Sequence, residues 1–247
     1  MSTRTTKDIM GLPITVEIVD GNEAALSAIF DYFRAVDARF STYKEDSEIS
    51  KINRGEIPES QYSNEMREIF DLAEETKKDT GGYFSIHKPD GSIDPSGIVK
   101  GWAILGAATL AQDLGYNNFF IDAGGDIQSG GFDGNGQPWT IGIRNPFNRS
   151  EIVKVVRPQG SGVATSGTYI RGQHIYNPHR PQESLEDIVS ITVIGPDIYE
   201  ADRFATAAFA MGKNGIHFIE QLPGFEGYQI DKAGTALMTS GFHNITA

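Results

Sequence analysis

Residues 12–40 read LPITVEIVDGNEAALSAIFDYFRAVDARF, and the hydrophobic period changes in the middle of this stretch. Residues 12–19 alternate well enough for a half-buried strand. From Asn22 onward Leu26, Ile29, Phe30, Phe33, Val36 and Phe40 fall at spacings of three and four, which is a helix with one face to bury. A strand feeding into an amphipathic helix points to helices packed on a sheet, and the rest of the chain is consistent with that.

Residues 41–60 are polar and read as loop. A second helix is expected over 63–78, with Met66, Ile69, Phe70 and Ala73 inward and Lys77 and Lys78 in the last turn before Gly81-Gly82. Residues 81–101 are rich in Gly, Pro and Asp. A helix follows over 103–114, then a short strand over 119–122 that runs into Ala-Gly-Gly-Asp. Two hairpin-like strands flank 132–138, where Asp-Gly-Asn-Gly signals a turn. Further strands are expected at 152–156, 162–165 and 188–194, a helix over 199–211, and short elements at 215–221, 227–231 and 235–240. With no repeat, linker or low-complexity tract, residues 1–247 read as one α+β domain built on a mixed sheet. Strand order does not follow from the pattern.

The 247 residues carry a net charge of −12, which excludes the usual Lys/Arg-rich nucleic-acid surface. The charge is unevenly spread: residues 1–80 hold 10 basic and 17 acidic groups, 81–180 hold 8 and 7, and 181–247 hold 3 and 9. An anionic ligand is therefore expected in the middle, Gly-rich third. The absence of cysteine removes disulfides, thiolate metal sites and cysteine nucleophiles together. No run approaches the ~18 apolar residues of a membrane span. The first residues lack an apolar signal region, so the expected location is the cytoplasm, with an exported protein trimmed of its signal as the alternative.

Three segments carry chemistry. Residues 94–102 (DPSGIVKGW) place a Ser/Gly turn and Lys100 before a helix, which suits a phosphate; equally, Ser96 caps the helix and Lys100 points to water. Asp202 and Thr206 in ADRFAT (201–206) lie four apart on one helix face and offer hard oxygens of the kind Mg²⁺ takes, or else Asp202 is a solvated surface carboxylate. Residues 163–178 (VATSGTYIRGQHIYNP) gather hydroxyls in a turn leaving a strand, with Arg171 and the titratable His174 close by, or form a hairpin that satisfies its own backbone. Gly130 to Gly136 fits neither the dinucleotide-binding nor the Walker pattern. Asp122, Asp126 and Asp133 lack EF-hand spacing, and no Gly-x-Ser-x-Gly elbow is present.

Taken in order, eight segments resemble the ApbE family of flavin transferases: Met10-Gly11, FSTYKEDSEISKIN (40–53), GGYFS (81–85), DPSGIVKG (94–101), IDAGGDI (121–127), ATSGTY (164–169), HIYNP (174–178) and ADRFATA with Met211-Gly212 (201–212). The resemblance covers nearly the whole chain. It implies a largely antiparallel sheet flanked by helices. It also implies a Mg²⁺-dependent enzyme that cleaves FAD and attaches FMN to a Thr or Ser of an acceptor protein, releasing AMP. Carried over by position, the metal ligands are Asp202, Thr206 and the Gly97 carbonyl. The FAD-contacting set is Met10, Tyr43, Tyr83, Phe84, Ser85, Asp94, Lys100 and Tyr176, and His174 assists the transfer.

Four departures from the family pattern stand out. Ser85 replaces the usual Asp, only residues 86–93 separate that motif from Asp94 where relatives carry a longer insert, Val99 precedes Lys100, and Asn177 replaces Asp. A shortened lid makes hydrolysis of FAD to FMN and AMP an alternative. Ser85 and Asn177 keep a non-catalytic flavin-binding protein open as a second.

Overall fold

The computed structural model describes residues 2–148, 150–167 and 175–247. Strands β1 (Ser2–Ile9) and β2 (Leu12–Val19) form an antiparallel hairpin whose two-residue loop is Met10-Gly11. Both loop residues have positive φ, 58° and 71°, the combination that suits the right-handed twist of a two-residue hairpin. β1 went unread in the sequence because its residues, STRTTKDI, are mostly exposed and present no apolar face.

Helix α1 (Glu23–Phe40) begins where Asn22 caps it, its side chain accepting the Ala25 N–H at 2.9 Å, and the six expected apolar residues are buried. The polar stretch 41–60 is not all loop. It holds α2 (Glu48–Asn53), capped by Ser47, and a short 3₁₀ turn, Glu59–Gln61. α3 (Asn64–Asp79) is capped by Ser63, whose hydroxyl and N–H also bind Glu48 of α2 at 2.7 Å each.

The next helix, α4, spans Ser96–Asp113 and so starts seven residues earlier than expected. Its cap is not the Ser96 side chain: Pro95 holds that position and Asp94 Oδ1 accepts the Ser96 N–H at 3.1 Å. Glycines 97 and 101 hide this first turn from a propensity reading. β3 (Phe119–Ala123), β4 (Asp126–Gly130), β5 (Ile141–Arg144), β6 (Ile152–Val156), β7 (Gly162–Gly167) and β8 (Ile188–Gly195) follow. Then come α5 (Ile198–Ala210), α6 (Gly215–Glu220), β9 (Glu226–Asp231) and β10 (Ala236–Met238).

Eight strands form one sheet in the order β1-β2-β3-β4-β7-β8-β9-β10, and every described pairing in it is antiparallel. This meets the α+β expectation and its largely antiparallel sheet, while the mixed character expected from the sequence is absent from the described pairings. Residues 132–138 do form a tight turn closed by an antiparallel Phe132–Pro138 bridge and an Asp133 N–H to Gln137 carbonyl bond of 2.8 Å, but the strands beyond it do not continue the pairing. β4 joins the main sheet, while β5 pairs with β6 in a separate ribbon. One face of the sheet is covered by the helices, with Ile14, Val16, Ile18, Ile121 and Ile191 meeting Phe30, Phe33, Ile104 and Phe209 in a single apolar cluster. On the other face Ile127, Val163, Ile194 and Ile230 are covered by Ile141, Ile143 and Val156 of the ribbon and by Phe242.

α4 is apolar on every face, as a buried helix is, α5 is buried along nearly its whole length, Asp202 and Arg203 included, and the two cross at Gly101. A Cβ there would lie 2.8 Å from Asp202 Cβ and 2.9 Å from the Ile198 carbonyl. Among the described residues, no helix is long and apolar enough to cross a membrane.

Candidate functional site

The α4–α5 crossing sets the floor of a pocket. Because Gly101 brings the two backbones together, its N–H donates to Asp202 Oδ2 at 2.8 Å, and Asp202 is 2% exposed. The reading of Asp202 as a solvated surface carboxylate is thereby excluded. Its Oδ1 lies 3.4 Å from the Lys100 ammonium, one residue back on α4. Lys100 also forms an ion pair with Asp126 Oδ2, at the start of β4. Burial pushes the Asp202 carboxyl well above the usual range; Lys100 opposes that rise and the nearby Asp126 charge adds to it. One turn on, Thr206 faces the same pocket. A Cβ on Gly97 would sit 3.4 Å from Thr206 Cγ2 and 3.3 Å from the Phe84 ring, so Gly97, Thr206 and Phe84 are immediate neighbours.

The upper wall comes from the chain before α4. The segment 86–94 is a tight hairpin closed by a His87–Ile93 bridge and an Asp94 N–H to Ile86 carbonyl bond of 2.8 Å. Across it, Lys88 Nζ meets Asp94 Oδ2 at 2.6 Å. Burial alone would raise the Asp94 carboxyl, but Lys88 and the Ser96 donors outweigh burial and hold it below its ordinary value. The Lys88 ammonium is raised mainly by its bond to Asp94. Asn53 of α2 grips the hairpin in both directions, donating to the Ile93 carbonyl at 2.9 Å and accepting its N–H at 2.8 Å. From the far side the Tyr176 hydroxyl donates to the His87 carbonyl at 2.8 Å. The His179 ring meets Tyr83 edge-on at 4.6 Å, its Nε2 3.0 Å from the Gly81 carbonyl.

Nine of the residues named from sequence therefore line one pocket: Tyr83, Phe84, Ser85, Asp94, Gly97, Lys100, Tyr176, Asp202 and Thr206. Met10 and Tyr43 do not. They line an adjoining recess that shares Lys88, Asp94, Ser96 and Lys100 with the first, so the two meet along one ridge. The Ser85 hydroxyl is occupied locally, accepting the His87 N–H at 3.1 Å and lying 3.2 Å from its carbonyl. His174 and Arg171 lie outside the described residues. Thr165, Ser166 and Gly167 are not a turn leaving a strand but the last residues of β7 itself, and all three line the pocket.

Two residues at the site were missed: Lys88, which lines the pocket, and Asp126, which lies behind it as the partner of Lys100. Lys88 sits in the departure from the family pattern, where the sequence supplied a length and no role. Asp126, the last acidic residue of IDAGGDI, was given no role beyond its lack of EF-hand spacing, yet it is 2% exposed and its Oδ1 accepts the Thr165 N–H at 2.9 Å. Arg203, beside Asp202, faces away from the pocket: it bonds Asp79 and Glu200 at 2.8 Å and stacks over Phe204 at 4.2 Å.

Chemically the pocket offers sparse hard-oxygen donors, flat aromatic surface and two ammonium groups. No group of three or more His, Cys, Asp or Glu exists among the described residues to form a cage for a metal. Asp126 and Asp202 nonetheless place two buried carboxylates against the Lys100 ammonium. Asp202, the Thr206 hydroxyl and the Gly97 carbonyl are donors of the type Mg²⁺ accepts alongside phosphate and water. The donor set thus fits that ion.

The molecule is an antiparallel α+β protein with an aromatic-walled pocket over the crossing of two buried helices. The ApbE family profile matches residues 10–88 and 85–230, and the chain belongs to that family. It is 31% identical over 160 residues to the FAD:protein FMN transferase of Klebsiella pneumoniae (strain 342), covering 61% of this chain and 46% of that protein. Against the Escherichia coli (strain K12) FAD:protein FMN transferase it is 30% identical over 166 residues, 64% of this chain and 47% of that one. The chain spans about half the length of these relatives. In fold it is similar to the flavin transferase ApbE from Vibrio cholerae (TM-score 0.86, 21% identity, 99% of both chains). It is equally similar to the ApbE protein from Thermotoga maritima (TM-score 0.87, 20% identity, 100% of both).

Proposed function

We propose that this protein binds FAD, breaks its pyrophosphate and transfers FMN to a Thr or Ser hydroxyl of an acceptor protein, with Mg²⁺ as the metal and AMP as the leaving group. The observation that carries this reading is the meeting of Asp202, Thr206, Gly97 and Lys100 with Tyr83, Phe84 and Tyr176 around one pocket. The relatives' shared name supports the same activity. Both apolar clusters sit on the two faces of one sheet, which supports residues 1–247 as one domain.

In this reading the acceptor oxygen forms a bond to the phosphorus of the FMN half, the bridging P–O bond breaks, and the electron pair leaves with AMP. Bound Mg²⁺ supplies charge neutralisation on the pyrophosphate. Lys100 and Lys88 add positive charge along the ridge where the two recesses meet, positioned by Asp126 and Asp94. Tyr83, Phe84 and Tyr176 offer flat surface to a ring system, worth about 1–3 kcal/mol per stacked base. Met10 and Tyr43 serve the other end of the dinucleotide in the adjoining recess. His174 assists the transfer, either by taking the acceptor proton or by holding the reacting phosphate.

The test is incubation with FAD, Mg²⁺ and an acceptor bearing a Thr/Ser target segment. Covalent flavin fluorescence that survives denaturation is expected, in step with AMP release and absent with Asp202→Ala. No covalent flavin on any acceptor, with no AMP released, would sink the transferase. The short 86–94 hairpin favours hydrolysis as a second reading, and AMP with free FMN in the absence of acceptor would select it. A flavin carrier would bind FAD and release nothing.

A further inference from the structure

Asp126 belongs to neither the metal set nor the flavin set proposed above and does not line the pocket, yet it is buried directly behind it and ion-paired to Lys100, which does. It is the first residue of β4, at the end of a turn that Asp122 fixes by accepting the Gly125 N–H at 2.7 Å. Its Oδ1 is held by the Thr165 N–H of β7, which sets the rotamer and aims Oδ2 at Lys100. Apart from that ion pair, Oδ2 takes no hydrogen bond among the described residues. The same ammonium stands 3.4 Å from Asp202 Oδ1, while Asp202 Oδ2 is occupied by the Gly101 N–H. Lys100 is thus shared unequally, close to Asp126 and farther from Asp202.

We infer that Asp126 is a positioning residue: it holds the Lys100 ammonium off Asp202, so that Asp202 Oδ1 stays open to a divalent cation. The inference rests on the Mg²⁺ reading above and deepens it. With a cation bound and both carboxylates ionised, two carboxylates and one ammonium leave one negative charge facing that cation. Without the Asp126 charge, the ammonium and Asp202 form a neutral one-to-one pair, and a cation has to displace the lysine to reach its ligand. The competition is between two positive groups for one oxygen, so removing the lysine restores access.

The experiment titrates Mn²⁺ into the full chain and reads the free ion by electron paramagnetic resonance, without FAD and then with it. Wild type, Asp126→Asn, Lys100→Met and the double variant are compared. Asn keeps an oxygen for the Thr165 N–H, and thermal melts verify that each protein is folded. Asp126→Asn is expected to bind Mn²⁺ at least tenfold more weakly than wild type. Lys100→Met is expected to bind at least as tightly as wild type in the absence of FAD, a result that does not depend on the Asp126 variant folding. The double variant is expected to recover most of the loss. A folded Asp126→Asn protein with wild-type affinity overturns the inference. So does a double variant as weak as Asp126→Asn, which would make Asp126 a ligand or a prop. Wild type that retains no Mn²⁺, with or without FAD, defeats the Mg²⁺ reading itself and the inference with it.

Discussion

Met10 sits at φ 58° in the β1–β2 turn, a conformation that costs a side-chain-bearing residue about 1–2 kcal/mol and that Asn or Gly enters more readily. A turn optimised only for stability would carry Asn-Gly there. Met10 lines the recess beside the pocket, so the strain sits where a flavin contact is proposed. Met10→Asn is expected to raise stability by about 1 kcal/mol while weakening FAD binding, read from urea denaturation and fluorescence titration of the same samples. A variant that gains stability and binds FAD unchanged would remove Met10 from the site. That Asp202 and Thr206 share a helix face was legible from spacing, because a helix face is a local property, whereas their metal role came only with the family resemblance. Asp126 was not legible, because its partners are 26 and 39 residues away, and only the assembled sheet brings it to Lys100 and Thr165.

At the scale of elements, α1 and α3 were readable because each has a polar cap, an apolar stripe and a length of 16 or more residues. α2 has six residues, too few for the period to show in a polar stretch. The start of α4 was hidden by the glycines its packing requires, and this gives a prediction whose sign discriminates. By propensity, Gly→Ala inside a helix gains about 0.5–1 kcal/mol. At position 101 the added methyl would overlap Asp202 Cβ and the Ile198 carbonyl, neither of which is the free end of a flexible chain. Gly101→Ala is therefore expected to lose about 1–3 kcal/mol in urea denaturation and to suppress FAD turnover, because the two helices must part where the Gly101 N–H holds Asp202. A stabilised, active variant would mean that the crossing is looser than its contacts indicate.

At the scale of the whole molecule, strand order was beyond the sequence. The β4-to-β7 step skips the ribbon between them, and alternation in a strand says which face is buried but not which strand lies beside it. The net charge of −12 describes the surface more than the pocket, where Lys88 and Lys100 are each set by a carboxylate partner. A ligand that bridges α4, α5, β7 and the 86–94 hairpin ties together segments distant in sequence, so its binding energy is expected to appear as global stability. For a ligand at 100 times its Kd the gain is about 2.7 kcal/mol, or roughly 5–10 °C in Tm for a chain of this size. FAD alone is expected to raise the Tm of wild type, and Mg²⁺ added with FAD to raise it further. Asp202→Ala is expected to keep the first increment and lose the second, since Asp202 is proposed to meet the cation while the aromatic walls and Lys100 meet the dinucleotide. Calorimetric scans of the two proteins with FAD, with Mg²⁺ and with both separate these contributions, and an undiminished Mg²⁺ increment in Asp202→Ala would move the metal away from the α4–α5 crossing.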